Sequence, residues 1–279
     1  MGRVLLVAGS RGMAGAAALA AEATLRGGAG YAVVCCPGGV LPELTAAVPS
    51  AVLRPCGDSA RASLAPQDLP ILLGEAAAAR ALVAGPGLGA DCGAERWLPD
   101  LLRGTPGLPA VVDADGLNAL ARAGGSALAD LGATAILTPH PAEAARLLGW
   151  AEGPARVQAD RAAAVAALTS RTAAVIVLKG AGTLVGQRGR PTWRNPTGNP
   201  GLATAGTGDV LAGLTGALLA RGLEAWDAAR LGAWLHGRAA DLLTERIGED
   251  ALIASDLARG FGAAFLEHAR LAAAQARAC

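Results

Sequence analysis

The stretch ATAGTGDVLAG, residues 203–213, joins a glycine-rich turn to the start of an apolar helical pattern. Glycine permits positive φ angles and lets backbone N–H groups face an anion, and a helix N-terminus adds a positive partial charge. The turn Gly206, Thr207 and Gly208 is therefore predicted to bind a phosphate. The carboxylate of Asp209 has two interpretations: an acid that stabilises the helix dipole, or a general base that deprotonates a hydroxyl attacking the bound phosphoryl group.

On the N-terminal side of this turn, short runs rich in Val, Ile and Leu alternate with longer alanine-rich helical patterns. The runs lie at 3–8, 31–36, 81–85, 109–114, 134–138 and 174–180, and the helical patterns at 13–27, 92–103, 116–122, 141–148 and 157–170. This alternation predicts βαβ units on a mostly parallel sheet that is covered on both faces.

On the C-terminal side, the pattern changes to three successive helices. They are predicted at 209–221, 225–246 and 256–274, and we expect them to pack on one face of the sheet. The polar, Gly- and Pro-rich stretch 186–201 follows a predicted hairpin and is interpreted as an ordered functional loop. The chain is accordingly expected to form one domain, residues 1–279.

Composition narrows the classes of function. Hydrophobic residues make up 52% of the chain but aromatic residues only 3%, which predicts a core of Ala, Leu and Val packed closely at glycine-lined contacts. The net charge of +1 offers no field for nucleic acid or an anionic membrane, so a small-molecule ligand is favoured. No apolar run approaches the roughly 20 residues of a membrane span. Five cysteines without a CxxC pair argue against a disulfide framework or a zinc site and fit a reduced cytoplasm.

Polar and glycine-rich turns follow the predicted strands. They are AGSRGMAG (8–15), GPGLG (85–89), DADGLN (113–118), TPHPAE (138–143) and KGAGT (179–183), to which AGTGD (205–209) is added. Ligands of open parallel sheets bind outside the carboxyl ends of the strands, so these turns are expected to meet at one crevice. The first turn lacks the GxGxxG fingerprint and no Gly-Lys-Ser/Thr occurs, which disfavours a dinucleotide-binding dehydrogenase and a P-loop enzyme.

Three side chains in these turns, and one histidine outside them, leave alternatives open. His140 lies between two prolines at a strand-to-helix turn, where it is either a helix cap or a ligand contact. Asp113 and Asp115 either reach a Mg²⁺-bound phosphate through water or cap the next helix. His236, within a helical pattern, is expected to be structural.

Taken in order, the motifs GSRGMAGAAALA, AGPGLG, VVDADGLNAL, LTPHPAEAARLLG, VIVLKGAGTLV, NPTGNPGLATAGTGDVLAG and LHGRAADLL resemble those of the ADP/ATP-dependent NAD(P)H-hydrate dehydratases. The resemblance runs from residue 4 to about residue 260. It implies the three-layer α/β/α sandwich of the ribokinase-like superfamily. It also implies that the chain restores NADH or NADPH from the 6S hydrate at the expense of ADP or ATP, with Mg²⁺ as the expected cofactor.

The resemblance also assigns residues. It implies that Ala16, Gly87, His140 and Asp209 contact the hydrated dinucleotide. It places Lys179, Gly180, Ala181, Gly182 and Thr183, together with Gly208, on the adenine nucleotide, which gives a role to the only lysine of the chain. Asp209 would then deprotonate the ring hydroxyl, because phosphorylation converts hydroxide, a poor leaving group, into phosphate.

Further expectations follow from the same resemblance. The protein is expected to prefer ADP, to form a homotetramer in the cytoplasm, and to work beside an NAD(P)H-hydrate epimerase, with no nucleic-acid or membrane partner. Two features depart from the family: the first strand begins without the usual preceding segment, and Ala142 replaces the usual glycine after TPHP.

The alternative to a dehydratase is a ribokinase-like kinase that phosphorylates a vitamin precursor and releases the phosphorylated product.

Overall fold

A nine-stranded sheet forms the centre of the computed structural model, which describes residues 2–278. The strands are β1 (Arg3–Val7), β2 (Tyr31–Pro37), β3 (Val52–Cys56), β4 (Ala81–Ala84), β5 (Ala110–Val112), β6 (Ala135–Leu137), β7 (Val175–Leu178), β8 (Leu184–Gly186) and β9 (Trp193–Arg194). Their spatial order is β3-β2-β1-β4-β5-β6-β7-β8-β9. The first seven strands pair in parallel, and β8 and β9 extend the sheet as an antiparallel hairpin.

Helices cover both faces of this sheet. They are α1 (Ala14–Arg26), α2 (Leu41–Ala47), α3 (Leu69–Ala76), α4 (Ala94–Gly104), α5 (Asp115–Ala123), α6 (Gly125–Ala129), α7 (Pro141–Leu148), α8 (Pro154–Ala159), α9 (Arg161–Arg171), α10 (Thr207–Ala220), α11 (Ala225–Ile247) and α12 (Ala254–Ala278). One core joins the sheet to α1, α2 and α10 to α12, and a second joins its other face to α3 to α9. The three-layer α/β/α sandwich is therefore confirmed, and so is the packing of the last three helices on one face.

The strands are apolar on both faces because each face meets a layer of helices. In β1, Val4 and Leu6 belong to the core beneath α1 and α10, whereas Leu5 and Val7 belong to the core on the other side. All four side chains are fully buried. This two-sided burial explains why the strands occur as continuous Val- and Leu-rich runs without alternation.

Small residues allow the helices to approach closely, as the composition predicts. A side chain on Gly213 of α10 would collide with the carbonyl of Ala20 in α1. At the same contact the hydroxyl of Thr24 donates to the carbonyls of Ala20 at 2.8 Å and Gly213 at 3.1 Å. Helix α1 also reaches the turn that carries Asp209, because a Cβ on Gly206 would lie 2.7 Å from the Leu19 side chain.

The structure departs from the sequence-based prediction in several elements. Strand β3 is absent from the prediction because it is a half-exposed edge strand that contains Arg54 and Pro55. The predicted helix 157–170 is two helices, since Asp160 ends α8 and caps α9 by accepting from the Ala163 amide at 2.8 Å. The predicted loop 186–201 contains β9, and the short helices α2, α3 and α6 were not predicted. Across residues 2–278, no helix has the length and apolarity needed to cross a membrane.

Candidate active site

The turns that follow the parallel strands meet at the carboxyl edge of the sheet, as predicted. Backbone hydrogen bonds join neighbouring turns directly: the amide of Gly9 donates to the carbonyl of Pro86 at 2.9 Å, and the amide of Lys179 to the carbonyl of Pro139 at 2.9 Å. The amide of Asp113 donates to the carbonyl of Ala84 at 3.1 Å. A continuous row of loops therefore lines this edge.

The glycine-rich turn before α10 is built as the sequence indicates. Gly206 is the N-cap residue with φ +91°, a conformation that glycine accepts readily, and Asp209 is the third residue of the helix. The Thr207 hydroxyl donates to the carbonyls of Leu202 at 2.9 Å and Thr204 at 3.0 Å. The Thr207 amide also donates to the carbonyl of Thr204 at 3.4 Å, so Thr207 does not offer the free N–H that the sequence predicted, whereas the amides of Gly206 and Gly208 have no acceptor among the described residues and can face an anion.

His236 fixes the same turn from the interior. Its Nε2 lies 2.9 Å from the carbonyl oxygen of Thr207, and the ring is buried. Burial lowers the pKa of His236 to about 4, so the ring is neutral near pH 7 and Nε2 carries the proton that it donates. His236 is thus a buried residue bonded to the backbone, in agreement with the expected structural role, and its partner is the glycine-rich turn that precedes Asp209.

Lys179, which is partly exposed, forms an ion pair beside Gly208 with the buried Asp113. The Lys179 Nζ lies 2.6 Å from Asp113 Oδ1 and 3.8 Å from Glu143 Oε2. Burial alone lowers the pKa of Lys179, but the charges of Asp113, Glu143 and Asp209 outweigh it and the pKa is raised, so the ammonium is retained. A Cβ on Gly208 would lie 3.0 Å from Nζ, which shows how closely the ammonium approaches the turn.

Asp209 carries the second charge at this turn. Burial, together with the negative charge of Asp113, raises its pKa from the ordinary 3.8 to about 7, although Lys179 opposes the shift. A carboxylate with this pKa can accept a proton near neutral pH and release it again. No hydrogen bond to the Asp209 carboxylate exists within the described part of the chain, so both oxygens are free to contact a ligand.

His140 caps α7 as well as facing the crevice. Its Nδ1 accepts a hydrogen bond from the Ala142 amide at 3.1 Å, while the Glu143 carboxylate accepts from the His140 amide at 2.7 Å. The imidazole is 46% exposed, and its Nε2 lies 3.3 Å from Glu143 Oε1. Burial of the ring and the charge of Lys179 lower the pKa of His140, so the ring is neutral near pH 7. The cap is thus observed, and contact with the hydrated dinucleotide stays a prediction.

Gly87 and Ala16 lie next to each other at the opposite end of the crevice. A Cβ on Gly87 would lie 3.0 Å from the Ala16 Cβ and 2.6 Å from the Met13 carbonyl oxygen, and Gly87 has φ +61°. Asp115 holds this loop, because its carboxylate accepts from the Gly89 amide at 2.8 Å. Neither aspartate of the DAD motif caps α5: Asp115 binds the glycine loop and Asp113 pairs with Lys179.

The KGAGT loop is held by Arg161, the first residue of α9. Its guanidinium donates to the carbonyls of Leu178 at 3.0 Å and Lys179 at 3.3 Å, and also to the carbonyl of Ala181. The Thr183 hydroxyl donates to the carbonyl of Gly180 at 3.1 Å. The carbonyls of Lys179 and Ala181 are thus bound by Arg161, which fixes the backbone of the loop at the edge of the sheet.

The sequence correctly predicted that Lys179, Gly208 and Asp209 lie in one crevice. It did not predict the contacts of three residues that support them. Glu143 and Arg161 were not singled out, and Asp113 was considered only as a metal ligand or a cap. Burial raises the pKa of Glu143 to about 7. The spacing of His140 and Glu143 at the first and last positions of a capping box is a signal that could have identified Glu143. No local signal identifies Arg161.

The glycine turn before α10 and the carboxylate of Asp209 lie at the carboxyl edge of a three-layer α/β/α sandwich, and this fold is that of the ribokinase-like superfamily. A sequence model of NAD(P)H-hydrate dehydratases matches residues 4–260. The chain therefore belongs to the NAD(P)H-hydrate dehydratase family.

Individual relatives agree with this assignment. The chain is 42% identical to the ADP-dependent (S)-NAD(P)H-hydrate dehydratase of Neisseria meningitidis, over 92% of this chain and 82% of that protein. It is 41% identical to the bifunctional NAD(P)H-hydrate repair enzyme of Moorella thermoacetica over 92% of this chain, and spans about half of that relative, 48%. The crystal structure of the ADP/ATP-dependent NAD(P)H-hydrate dehydratase from Bacillus subtilis, co-crystallized with ATP/Mg²⁺ and soaked with CoA, superposes with a TM-score of 0.77 at 30% identity, over 95% of this chain and 92% of that one.

Proposed function

We propose that this chain dehydrates the 6S hydrate of NADH or NADPH, with ADP or ATP as the phosphoryl donor. The observation that carries the proposal is the placement of both Asp209 and the Lys179 ammonium beside Gly208, where a hydroxyl and a phosphoryl group can meet. Family membership supports the choice of substrate.

Asp209 acts as the general base in this proposal. It accepts the proton of the ring hydroxyl while that oxygen attacks the terminal phosphorus of the nucleotide, which forms a phosphate ester and releases the shortened nucleotide. The lone pair of the ring nitrogen then expels inorganic phosphate, and loss of a proton from the adjacent ring carbon restores the double bond. A pKa of about 7 suits this role, because the base is available at neutral pH and strong enough to accept the proton.

The turn and Lys179 stabilise the phosphoryl group during transfer. Backbone amides of Gly206 and Gly208 at the N-terminus of α10 form an anion hole, and the ammonium beside Gly208 adds a full positive charge. Asp113 holds that ammonium in place. These groups are fixed before the reaction, so little reorganisation is needed as negative charge moves between oxygens.

The residues also fit a Mg²⁺ ion carried by the nucleotide. Asp113 Oδ2 is buried and has no hydrogen-bond partner within the described chain, and it points toward Gly208. Among the side chains that the structure describes, no group of three or more His, Cys, Asp or Glu could hold a metal ion, but Mg²⁺ often binds through one or two carboxylates, with phosphates and waters completing its shell. Asp113 would hold the ion, which would neutralise charge on the phosphates.

The two ligands divide the crevice. Ala16, Gly87 and His140 are assigned to the hydrated dinucleotide, with Asp209 at its reacting hydroxyl. The adenine nucleotide is assigned to the loop Lys179, Gly180, Ala181, Gly182 and Thr183 and to Gly208. The separation of Gly87 and Ala16 from the KGAGT loop supports this division, since the turns lie at different strands of the row.

Four further points belong to the proposal. Residues 1–279 form one domain, and the protein assembles as a homotetramer. It works in the cytoplasm, a reducing compartment that keeps cysteines as free thiols and that is compatible with its nucleotide substrates. An NAD(P)H-hydrate epimerase supplies the reactive epimer, which the names of the bifunctional relatives support.

The test is to incubate the protein with NADH hydrate, Mg²⁺ and either ADP or ATP, and to follow the absorbance of regenerated NADH. The proposal expects NADH to return only when a nucleotide is present. Failure with both nucleotides would overturn it. Accumulation of a stable phosphorylated product would support the kinase alternative instead.

A further inference from the structure

The outer end of the KGAGT loop carries a second arginine, Arg194, at the end of the edge strand β9. Arg194 lies directly opposite Leu184 in the antiparallel register, and the amide of its neighbour Asn195 donates to the carbonyl of Thr183 at 2.8 Å. Strand pairing therefore fixes the backbone of Arg194 beside the loop.

The guanidinium of Arg194 packs against Gly182. A Cβ on Gly182 would lie 2.9 Å from Arg194 Nη2 and 3.0 Å from Cζ, and Gly182 has φ +60°. Any larger residue at 182 would displace the guanidinium and strain the backbone. The arginine is thus seated on the loop itself and does not extend freely into solvent.

No carboxylate that the structure describes pairs with this arginine. The ion pairs of the described chain include neither Arg194 nor Arg161. The two guanidinium groups lie on the same loop, Arg161 against Gly180 and Arg194 against Gly182, and the pKa of Arg161 is lowered by burial and by the positive charge of Arg194. Arg161 uses its donors on carbonyls of the loop, whereas Arg194 is exposed and its guanidinium donates to no group that the structure describes.

Two uncompensated cations beside a glycine loop are complementary to an anion. We propose that Arg194 binds the non-transferred phosphate of the adenine nucleotide, the one that adjoins the ribose in ADP. This inference rests on the proposed function, which places the transferring phosphoryl at Gly208 and Asp209. Lys179, at one end of the KGAGT loop, lies beside Gly208, and Gly182, near the other end, lies against Arg194. A nucleotide that lies along the loop, with its transferred phosphate at Gly208, therefore brings the adjoining phosphate to Arg194. A guanidinium can bind phosphate through two parallel hydrogen bonds.

Calorimetry on an Arg194→Gln variant tests the assignment, with ADP, AMP and adenosine as ligands. The variant should bind ADP and AMP about ten- to a hundredfold more weakly, the effect expected from loss of a charge-assisted hydrogen bond, and adenosine with unchanged affinity. Arg190→Gln is the matched control, because Arg190 is an exposed cation of the same hairpin whose guanidinium lies over Trp226 at 5.3 Å. The control should bind all three ligands as the wild type does.

Three results would overturn the assignment: ADP affinity unchanged in Arg194→Gln, an equal loss for adenosine, which would place the arginine on base or ribose, or a loss for ADP but not AMP. In turnover assays the KM for ADP should rise while kcat and the KM for the hydrate stay within about twofold, and Arg194→Lys should restore part of the loss. Binding does not require turnover. A wild type that binds ADP but never regenerates NADH would overturn the proposed function and leave the assignment of Arg194 testable.

Discussion

Replacement of Asp209 by asparagine separates the two interpretations of this carboxylate. Asparagine has the same shape, and no hydrogen bond to the Asp209 side chain occurs within the described chain, so the substitution removes a charge and little else. If Asp209 is the general base, turnover should fall about 10²–10⁴-fold, the usual contribution of such a group. If it only stabilises the helix dipole, turnover should persist.

The same substitution has a stability effect whose sign follows from the pKa. The pKa of Asp209 is about 7 in the folded state against an ordinary 3.8, so the folded protein binds more protons than the unfolded chain between these values. The contribution of Asp209 to the free energy of unfolding of the wild type is therefore fully present below pH 3.8 and is lost as the pH rises through about 7. Asparagine has no such titration. Asp209→Asn should consequently be more stable than the wild type at high pH.

The pKa shift of Asp209 sets an upper bound on the stability gained by Asp209→Asn. About three pKa units correspond to about 4 kcal/mol at about 1.36 kcal/mol per unit. Because the side chain keeps part of its solvent exposure, we expect about 1–3 kcal/mol at pH 8. The measurement is the free energy of unfolding in urea at pH 8 and again near pH 5, where the gain should shrink.

Asp227→Asn is the matched control for both effects. Asp227 is likewise the third residue of its helix, α11, but its side chain is 60% exposed and lies 3.7 Å from Arg230. This variant should lose about 0.3–1 kcal/mol through the helix dipole and keep full activity. The reasoning would be refuted if Asp209→Asn kept more than a tenth of wild-type turnover and was destabilised as the control is.

Three further predictions concern the same site. Lys179→Ala should weaken ADP binding more than hydrate binding in calorimetry, and equal losses would assign the lysine to the shared phosphoryl position or to the fold, since Asp113 would also lose its partner. His140→Ala should raise the KM for the hydrate and lower the free energy of unfolding by about 0.5–2 kcal/mol. His140→Asn can still cap α7, so it should restore the melting temperature but not the KM. An unchanged KM in both variants would remove His140 from the substrate site. In the wild type, kcat/KM for the hydrate should rise with pH through about 7 as Asp209 loses its proton, and a flat profile across neutral pH would contradict the role of the base.

Much of the scaffold could be predicted because its strands are buried on both faces. Continuous Val- and Leu-rich runs marked β1, β2 and β4 to β7 to within a few residues, and Pro141 marked the start of α7. Strand β3 escaped prediction since an edge strand can hold an arginine and a proline that a central strand excludes. The break at Asp160 escaped because alanine-rich sequence on both sides favours a continuous helix.

The contacts within the site depend on long-range geometry, which local patterns do not encode. The glycine turns could be placed at one edge from their positions after the strands. The pairing of Lys179 with Asp113 could not be predicted, since these residues are 66 positions apart and each of them has several possible partners. The pKa shifts of Asp209 and Glu143 depend on burial and on charges brought together by folding, so they became visible only in the assembled crevice.

The central claim is that the hydroxyl of the hydrate is phosphorylated before it leaves. The most direct measurement uses NADH hydrate prepared in ¹⁸O-labelled water, so that the ring hydroxyl carries the label, and follows the isotope during turnover with ADP in ordinary water. If Asp209 directs that oxygen onto phosphorus, the label must appear in the inorganic phosphate in a one-to-one ratio with regenerated NADH. Label released into water, with unlabelled phosphate, would show direct loss of hydroxide and contradict the account.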